Sequence, residues 1–487
     1  MMSNNINANF EDLRNPEIIQ QHISELTKDC AAVPHNEILT NLIEQVEPLD
    51  FEKIANPQGF EDFKLGNKHY SVISIDEVLK LAEQNRWGLC KNHDFIYLYN
   101  GTFWSELEKG IFQKFLGEAS AKMRVPILTA KYHRFRKELY DQFLATAYLP
   151  TPENNKDTVL INLQNGTFEI SPQGTKLRPF DRSDFITYQL PFEYNPKANA
   201  PLFEAYLNKV LPDVERQRVL AEYLGYVFIR QGVLKLEAAL VLYGSGANGK
   251  SVFFEIVNAL LGIDNVSSFS LQQLTDDTGY YRAMISNKLV NYASEINGKL
   301  EASLFKAMVS GETIPARLPY GKPMQLNQYA KFIFNCNELP KDVEHNNGFF
   351  RRWLIIPFDV TIPKEDQDTE LHKKIIKNEL SGVFNWVLDG LNRLLKQKQF
   401  SECKAAKETL ERYKTESDSV KMFVDEYDYK ISVSKEMPLQ DLYKEYKYYC
   451  ENFGNRICSQ KTFSDRLKNA GFEIIKKNFG RVVNVEK

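Results

Sequence analysis

The octapeptide GSGANGKS, Gly244 to Ser251, follows the apolar run AALVLY and precedes SVFFEIVNALLG. A strand that empties into a glycine-rich turn and then a helix leaves few folds open. Glycines let consecutive backbone N–H groups turn inward on phosphate oxygens, and a helix opening at Gly249 presents its positive end to the same anion. Gly244, Gly249, Lys250 and Ser251 satisfy G-x-x-x-x-G-K-[ST], in which the lysine reaches the β and γ oxygens and the hydroxyl binds magnesium. The whole loop, Gly244, Ser245, Gly246, Ala247, Asn248, Gly249, Lys250, Ser251 and Val252, is therefore a candidate nucleoside triphosphate site. The helix behind it is expected to bury Val252, Phe253, Ile256, Val257 and Leu260 and to stop at Gly262.

Around the loop the pattern alternates. Helical spacing in LFEAYLNKVL and VERQRVLAEYLGYVFI is followed by AALVLY, SVFFEIVNALLG, KLVNYASE, LFKAMVSG, KFIFNC and WLIIPF. Short apolar strands separated by helices predict an α/β layer with a largely parallel sheet. Strand ends are then the places to look for chemistry. KLVNYASE ends in Glu295, a carboxylate able to hold magnesium or polarise an attacking water. KFIFNC is followed by Asn337, an amide able to orient that water. GFFRRWLIIPF sets Arg351 and Arg352 before the last strand. In a ring-forming ATPase an arginine there reaches a neighbour's γ-phosphate, which contributes roughly 10³ to 10⁵ in rate in other systems. Each has a plainer reading: acids are common at strand ends, asparagine forms turns, and arginines solvate surfaces.

At 487 residues, 43% hydrophobic and 26% charged, the chain has the composition of a globular protein of two to four domains. No apolar stretch approaches the roughly 20 residues of a membrane span, and no signal pattern opens the chain. The expectation is a cytoplasmic protein with no membrane partner. Six scattered cysteines without a C-x-x-C pair argue against zinc and disulfides.

Charge divides the chain further. Residues 1–70 carry 12 acids and 5 bases, and 451–487 carry 8 bases and 4 acids. Between Lys122 and Lys137 lie six bases and no acid, interleaved with Tyr132, His133 and Phe135. That run reads as a single-strand platform or as a solvated amphipathic helix. Hairpins are expected to turn at Asn100-Gly101 and Asn165-Gly166. The expected domains are an acidic leader, helical or partly disordered (1–70), an α+β domain (71–195), the α/β core with its leading helices (196–365), a helical extension (366–414) and a tail (415–487). PLQDLYKEYKYYCENFG and SQKTFSDRLKNAGFEIIKKNFGRVVNV read helix, helix, hairpin, the order of a winged helix.

GSGANGKS, YASE, LFKAMVSGETIPARLPYGKPMQLNQYAKFIFNCNELP and NNGFFRRWLIIPF, in that order, resemble the superfamily 3 helicases of phage, plasmid and poxvirus primase-helicases. INLQNGTFEI…LPFEYNPKANAPLFEAYLNKVL resembles the segment before the helicase in that family, and LYKEYKYYCENFGNRICSQKTFSDRLKNAGFE its terminal winged helix. The resemblance implies a P-loop AAA+-like ATPase core between an α+β domain and a winged helix, with ATP and Mg2+ as cofactors. It makes Lys250 and Ser251 the phosphate and magnesium ligands and Glu295 the acidic Walker B residue. It puts Asn337 on the polar sensor and Arg351 with Arg352 on the pair supplying the arginine finger. PYGKP falls on a channel hairpin that grips DNA, where Tyr320 offers a stacking face, Gly321 the tight turn and Lys322 a phosphate contact. An ordinary hairpin turn is the plainer reading.

The sequence departs from the family where many relatives place a second carboxylate beside the Walker B acid. Here Ser294 precedes Glu295 and Asn291 lies four back. No D-x-D pair on a strand suggests a primase, so primer synthesis is not expected, and a separate primase or initiator becomes a partner. Two readings follow. One is a homohexameric replicative helicase of a mobile element or virus, translocating on single-stranded DNA in a central channel. The other is an origin-binding initiator or loader in which the winged helix reads duplex DNA and ATP switches assembly. For the second, Ser459, Gln460, Lys461 and Lys468 are offered by the helix and Lys476, Lys477 and Arg481 by the wing.

Overall fold

The computed structural model describes residues 33–92, 95–147, 157–294, 296, 300–319, 321, 323–340, 344–455, 457–478 and 480–487. The chain divides into two compact units, Met1–Asn195 and Pro196–Lys487. The division falls inside YNPKANAP, where proline and asparagine interrupt both helix and strand.

Among the described residues, the first unit opens with helices α1 (His35–Gln45), α2 (Phe51–Ala55) and α3 (Asn67–Gln84). An antiparallel meander follows, β1 (Gly88–Asn92), β2 (Phe95–Tyr99) and β3 (Trp104–Leu107). Then come α4 (Lys109–Lys122), α5 (Ile127–Lys131), α6 (His133–Thr146) and a second meander of β4 (Val159–Leu163), β5 (Gly166–Ser171) and β6 (Gly174–Arg178). The expected boundary at residue 70 is corrected here. Ile38, Leu42 and Phe51 share one buried core with Ile75, Phe112, Phe135 and Phe143, and α3 runs across the boundary. Apolar side chains at helical spacing outweigh the acidic composition of the segment.

Both expected hairpins form, with different turns. Asn100 Oδ1 accepts hydrogen bonds from Thr102 N and Phe103 N, which closes β2 onto β3 with Tyr99 opposite Trp104. The β4–β5 loop is Gln164-Asn165, one residue earlier than expected, because Leu163 already pairs with Gly166. Asn165 is diverted: its amide brackets Tyr194, donating to the carbonyl at 3.0 Å and accepting from the N–H at 2.9 Å.

The second unit is built on five parallel strands in the order β13-β7-β12-β9-β8. Helices α7 (Pro201–Val210) and α8 (Val214–Tyr226) lead into β7 (Ala239–Tyr243) and α9 (Lys250–Leu261). The chain continues through β8 (Val266–Ser267), α10 (Leu271–Leu274), α11 (Tyr280–Ala283), β9 (Val290–Ala293) and α12 (Ala302–Val309). A two-stranded hairpin, β10 (Ile314–Arg317) with β11 (Pro323–Leu326), precedes β12 (Lys331–Cys336), α13 (Asn347–Phe350) and β13 (Trp353–Pro357). Leu240, Val241, Ile333 and Phe334 are fully buried, which is what a sheet covered on both faces demands of its central strands.

Helices α14 (Leu371–Asn378), α15 (Leu380–Gln397) and α16 (Lys404–Glu416) lead out of this layer. The tail holds more than a helix pair and hairpin. It runs α17 (Ser419–Glu426), β14 (Lys430–Pro438), α18 (Leu439–Phe453), α19 (Gln460–Asn469), β15 (Ile474–Lys477) and β16 (Gly480–Glu486). The antiparallel sheet has the order β14-β16-β15, over a core of Phe423, Tyr446, Phe463, Leu467 and Val483. Strand β14, KISVSKEMP, buries almost nothing: Ile431 and Val433 are exposed while Ser432 between them is buried, the reverse of what its short apolar alternation would suggest. No helix among the described residues is long and apolar enough to cross a membrane.

Candidate nucleotide site

The glycine-rich loop leaves the carboxyl end of β7 and is stitched down from both sides. Gly244 N donates to Cys336 O at the end of β12 (3.1 Å), Phe358 N to Tyr243 O (2.7 Å) and Ile362 N to Ala247 O (2.8 Å). A Cβ on Gly244 would collide with Asn248 Nδ2 and Phe358 O. Gly249 has φ +88°, and a Cβ there would lie 2.6 Å from Val210 Cγ1. Ala247 also adopts a left-handed φ of 47°, a strained conformation for a residue with a Cβ. The loop thus holds a curled shape because β12, the segment after β13 and α7 all grip it.

Lys250 opens α9 at 6% exposure. Its ammonium donates to Gly244 O at 2.6 Å and Asn248 Oδ1 at 3.1 Å, while Asn248 Nδ2 donates to Phe358 O at 3.0 Å. Burial pushes the amine below its ordinary value, a pull that the neighbouring Cys336 opposes. Burial also lifts the Cys336 thiol to about 12, so it stays protonated and inert. Helix α9 has no side-chain cap and no acid in its first turn, and its Ser251 is exposed. Its first N–H groups therefore suit an oxyanion, with Lys250 folded back on the loop beside them. Of the helix residues expected to be buried, Phe253, Ile256, Val257 and Leu260 are, and Val252 is partly exposed.

Asn337 lies exposed just past β12 at the same sheet edge. Glu295, Tyr320 and Lys322 lie outside the described residues. Asn291 is fully buried and committed to structure: its amide accepts from Ser267 Oγ and Phe269 N and donates to Phe269 O. In the β10–β11 turn Gly321 N donates to Leu318 O (2.8 Å), and Arg317 Nε to Gly321 O (3.0 Å).

The arginine pair sits at the other end of the sheet. Trp353 pairs with Ala239 and Pro357 with Tyr243, so Arg352 precedes the strand end farthest from the loop. The two side chains share Glu237 Oε2, which lies 3.3 Å from Arg352, but they differ in burial. Arg352 is 9% exposed at its side chain and turned inward, donating to Ser310 Oγ at 2.7 Å and to Gly348 O. Arg351 is 57% exposed and reaches Glu237 at 2.8 Å.

In the C-terminal region Lys461, Lys468, Lys476 and Arg481 are exposed. Lys477 is also exposed, and pairs with Glu436 of β14 at 2.5 Å. Ser459 is the N-cap of α19, accepting from Thr462 N. Sequence reasoning missed the residues that back the loop. Tyr206 of α7 donates its hydroxyl to Gly249 O at 2.8 Å, and Tyr292 of β9 to Asn335 Oδ1 at 3.0 Å. No local pattern marks either, since each acts across more than 40 residues of chain.

Three consecutive segments match known families. Residues 76–212 match one described as "D5 N terminal like", 242–352 a family of unknown function (DUF5906), and 415–487 one described as "Poxvirus D5 protein-like". A protein of Acanthamoeba polyphaga mimivirus named "Putative helicase" is 25% identical over 279 residues, 54% of this chain and 28% of that relative's length. Two apo structures of the NrS-1 C-terminal region align with TM-scores of 0.46 and 0.45 at 14% and 13% identity, covering 83% and 84% of this chain and 97% and 98% of those chains. With D5-type segments on both sides of the glycine-rich loop and a viral relative of that name, the chain is related to the superfamily 3 helicases of phage, plasmid and poxvirus primase-helicases.

Proposed function

We propose that the protein is an ATP-dependent DNA helicase, a homohexameric ring that translocates on single-stranded DNA during replication of a mobile element or virus. The observation that carries this reading is the split of the machinery across one sheet. Lys250 follows the carboxyl end of β7, whereas Arg351 precedes the amino end of its neighbour β13. Four residue steps of paired strand lie between these ends, roughly 13 Å. An arginine so placed serves a nucleotide on another subunit, not its own, and a ring supplies that neighbour.

The loop fits ATP with Mg2+, which when bound supplies the phosphoryl group to be hydrolysed. Backbone N–H groups at the start of α9 would hold the phosphates. The Lys250 ammonium would exchange Gly244 O and Asn248 Oδ1 for phosphate oxygens, and Ser251 with Glu295 would hold the metal. Asn337 would orient the attacking water, and Tyr320 with Lys322 would contact DNA in the channel. Of the two arginines, Arg351 is the finger, because it stands at the surface with an exchangeable pair to Glu237, whereas Arg352 is buried on Ser310, Gly348 and Glu237.

A second reading, an initiator or loader, draws on the C-terminal region. Its helix–strand–helix–helix–strand–strand order is that of a winged helix, with Lys461, Lys468, Lys476 and Arg481 exposed for duplex DNA. A separate primase or initiator completes the expected partners, in a cytoplasm. The test is ATP hydrolysis with and without single-stranded DNA on the wild type, Lys250→Ala, Arg351→Ala and Tyr320→Ala/Lys322→Ala. The motor reading expects stimulation of the wild type, a double variant that loses only that stimulation, and partial recovery when Lys250→Ala and Arg351→Ala subunits are mixed. Turnover indifferent to DNA and to the hairpin would sink the motor and favour the initiator.

A further inference from the structure

The basic run from Lys122 to Lys137 takes no part in the nucleotide site. Its six cations, carried by α4, α5, α6 and the turns between them, divide into two classes. Two are internal braces. Lys122 donates to Ile43 O and Glu44 O at the carboxyl end of α1, at 2.8 and 2.7 Å. Arg136 donates to Ala130 O at 3.3 Å and lies over α4 at Gly117, where a Cβ would come within 2.7 Å of its Nε.

The other four, Arg124, Lys131, Arg134 and Lys137, are exposed, and among the described residues their side chains have no ion pair or hydrogen bond. Glu138 and Asp141 are exposed on the same helix without closing on them. Elsewhere in this unit exposed lysines do find partners, as Lys80 with Glu77 and Lys176 with Glu169. Between the four cations stand apolar and aromatic groups. Ile127 is 55% exposed, Leu128 82% and Tyr132 47%, the last with its ring edge-on to His133 at 4.8 Å. Beneath them Ala130, Phe135, Leu139 and Phe143 are fully buried, so the exposed groups stand on a fixed base.

Local electrostatics run against helix stability at this corner. Helix α6 has no side-chain cap and no acid in its first turn, and places His133 and Arg134 there instead. Cations at the positive end of a helix repel its dipole, and an anion laid along them relieves that repulsion. Four unpaired cations around a half-exposed ring, with aliphatic side chains alongside, match a strand whose phosphates and base faces are both accessible. A duplex hides its base faces.

We propose that the α5–α6 corner binds a single DNA strand, with phosphates on Arg124, Lys131, Arg134 and Lys137 and a base on Tyr132. The proposal rests on the reading that the protein works on DNA, and adds a contact surface in the first unit to the channel hairpin and the C-terminal region. The test is fluorescence anisotropy of a labelled oligodeoxythymidylate titrated with the full chain across a salt series. The variants are Lys131→Glu/Arg134→Glu/Lys137→Glu and, separately, Tyr132→Ala.

Reversing three phosphate contacts should weaken binding by roughly tenfold or more. It should also lower the slope of log K against log salt by about 2, at ~0.7 per contact on a single strand. Tyr132→Ala should weaken binding roughly fivefold or more with the salt slope unchanged. Hydrolysis without DNA should stay at the wild-type rate in both. A wild type that binds no strand would overturn the DNA reading beneath the proposal. A wild type that binds, with a triple variant that binds equally, would overturn the corner alone. So would a triple variant that changes the sedimentation of the assembly, since the corner would then be a contact between copies of the chain.

Discussion

Two lysines lie at opposite ends of the parallel sheet, and their surroundings differ. Lys250, beyond the carboxyl end of β7, is held by a carbonyl and an amide oxygen of its own loop. Lys331 opens β12 at the amino end, with its ammonium 4.3 Å from the Tyr226 ring centre. Burial pushes its amine from 10.5 down to about 8. The first environment can exchange loop oxygens for phosphate oxygens without losing hydrogen bonds. Among the described residues the second meets a ring face and no hydrogen-bond acceptor, which suits a structural role. The same contrast divides the adjacent arginines, Arg352 locked inward and Arg351 left at the surface. Chemistry here follows from which groups have exchangeable partners, not from residue type.

The largest expected effect is on Lys250→Ala, which removes the only cation in the loop and should cut ATP hydrolysis by more than ~10³. Retained turnover would break the assignment of this end as the reactive one. Arg351→Ala should lower turnover by about 10³ while shifting stability by no more than about 0.5 kcal/mol. Arg352→Ala should do the reverse in kind, costing about 2–4 kcal/mol in urea unfolding because it strands the buried Ser310 hydroxyl and removes a partner of Gly348 O and Glu237. Equal effects on turnover and stability from both variants would dissolve the distinction between them. Gly249→Ala should cost about 1–3 kcal/mol, from a left-handed φ and the clash with Val210.

A pH dependence is expected at the other end. Below about pH 8 both folded and unfolded chains carry the Lys331 proton, and the burial penalty is fully present. Between about 8 and 10.5 the folded chain releases that proton first. The unfolded state then binds more protons, so stability rises with pH across this window. Lys331→Met should flatten that rise, read as urea midpoints measured at pH 7, 9 and 10. A curve unchanged by the substitution would mean the ammonium is solvated.

Much of the architecture was legible because its signals are local. The strands of the layer are continuous apolar runs, and GSGANGKS is a contiguous phosphate-binding pattern between a strand and a helix. Other features carried no such signal. Strand β14 is exposed along most of its length, its Ile431 and Val433 included, and α1 to α3 look acidic although their inward faces join a common core. The Gln164-Asn165 turn was displaced by a bracket that Asn165 makes to a residue 29 positions away.

Sequence by itself determined that a glycine-rich loop joins a strand to a helix, that parallel strands surround it, and that basic residues gather near the tail and in one internal run. These follow from backbone freedom, apolar periodicity and charge, which a chain carries wherever it folds. Tertiary structure alone decided which of two adjacent arginines is exposed, which of six clustered cations are braces, and which distant groups hold the loop in shape. Those outcomes depend on Ser310 meeting Arg352, Tyr206 meeting Gly249 and Ile43 meeting Lys122. Such meetings exist only after the chain has closed on itself, so no local pattern encodes them.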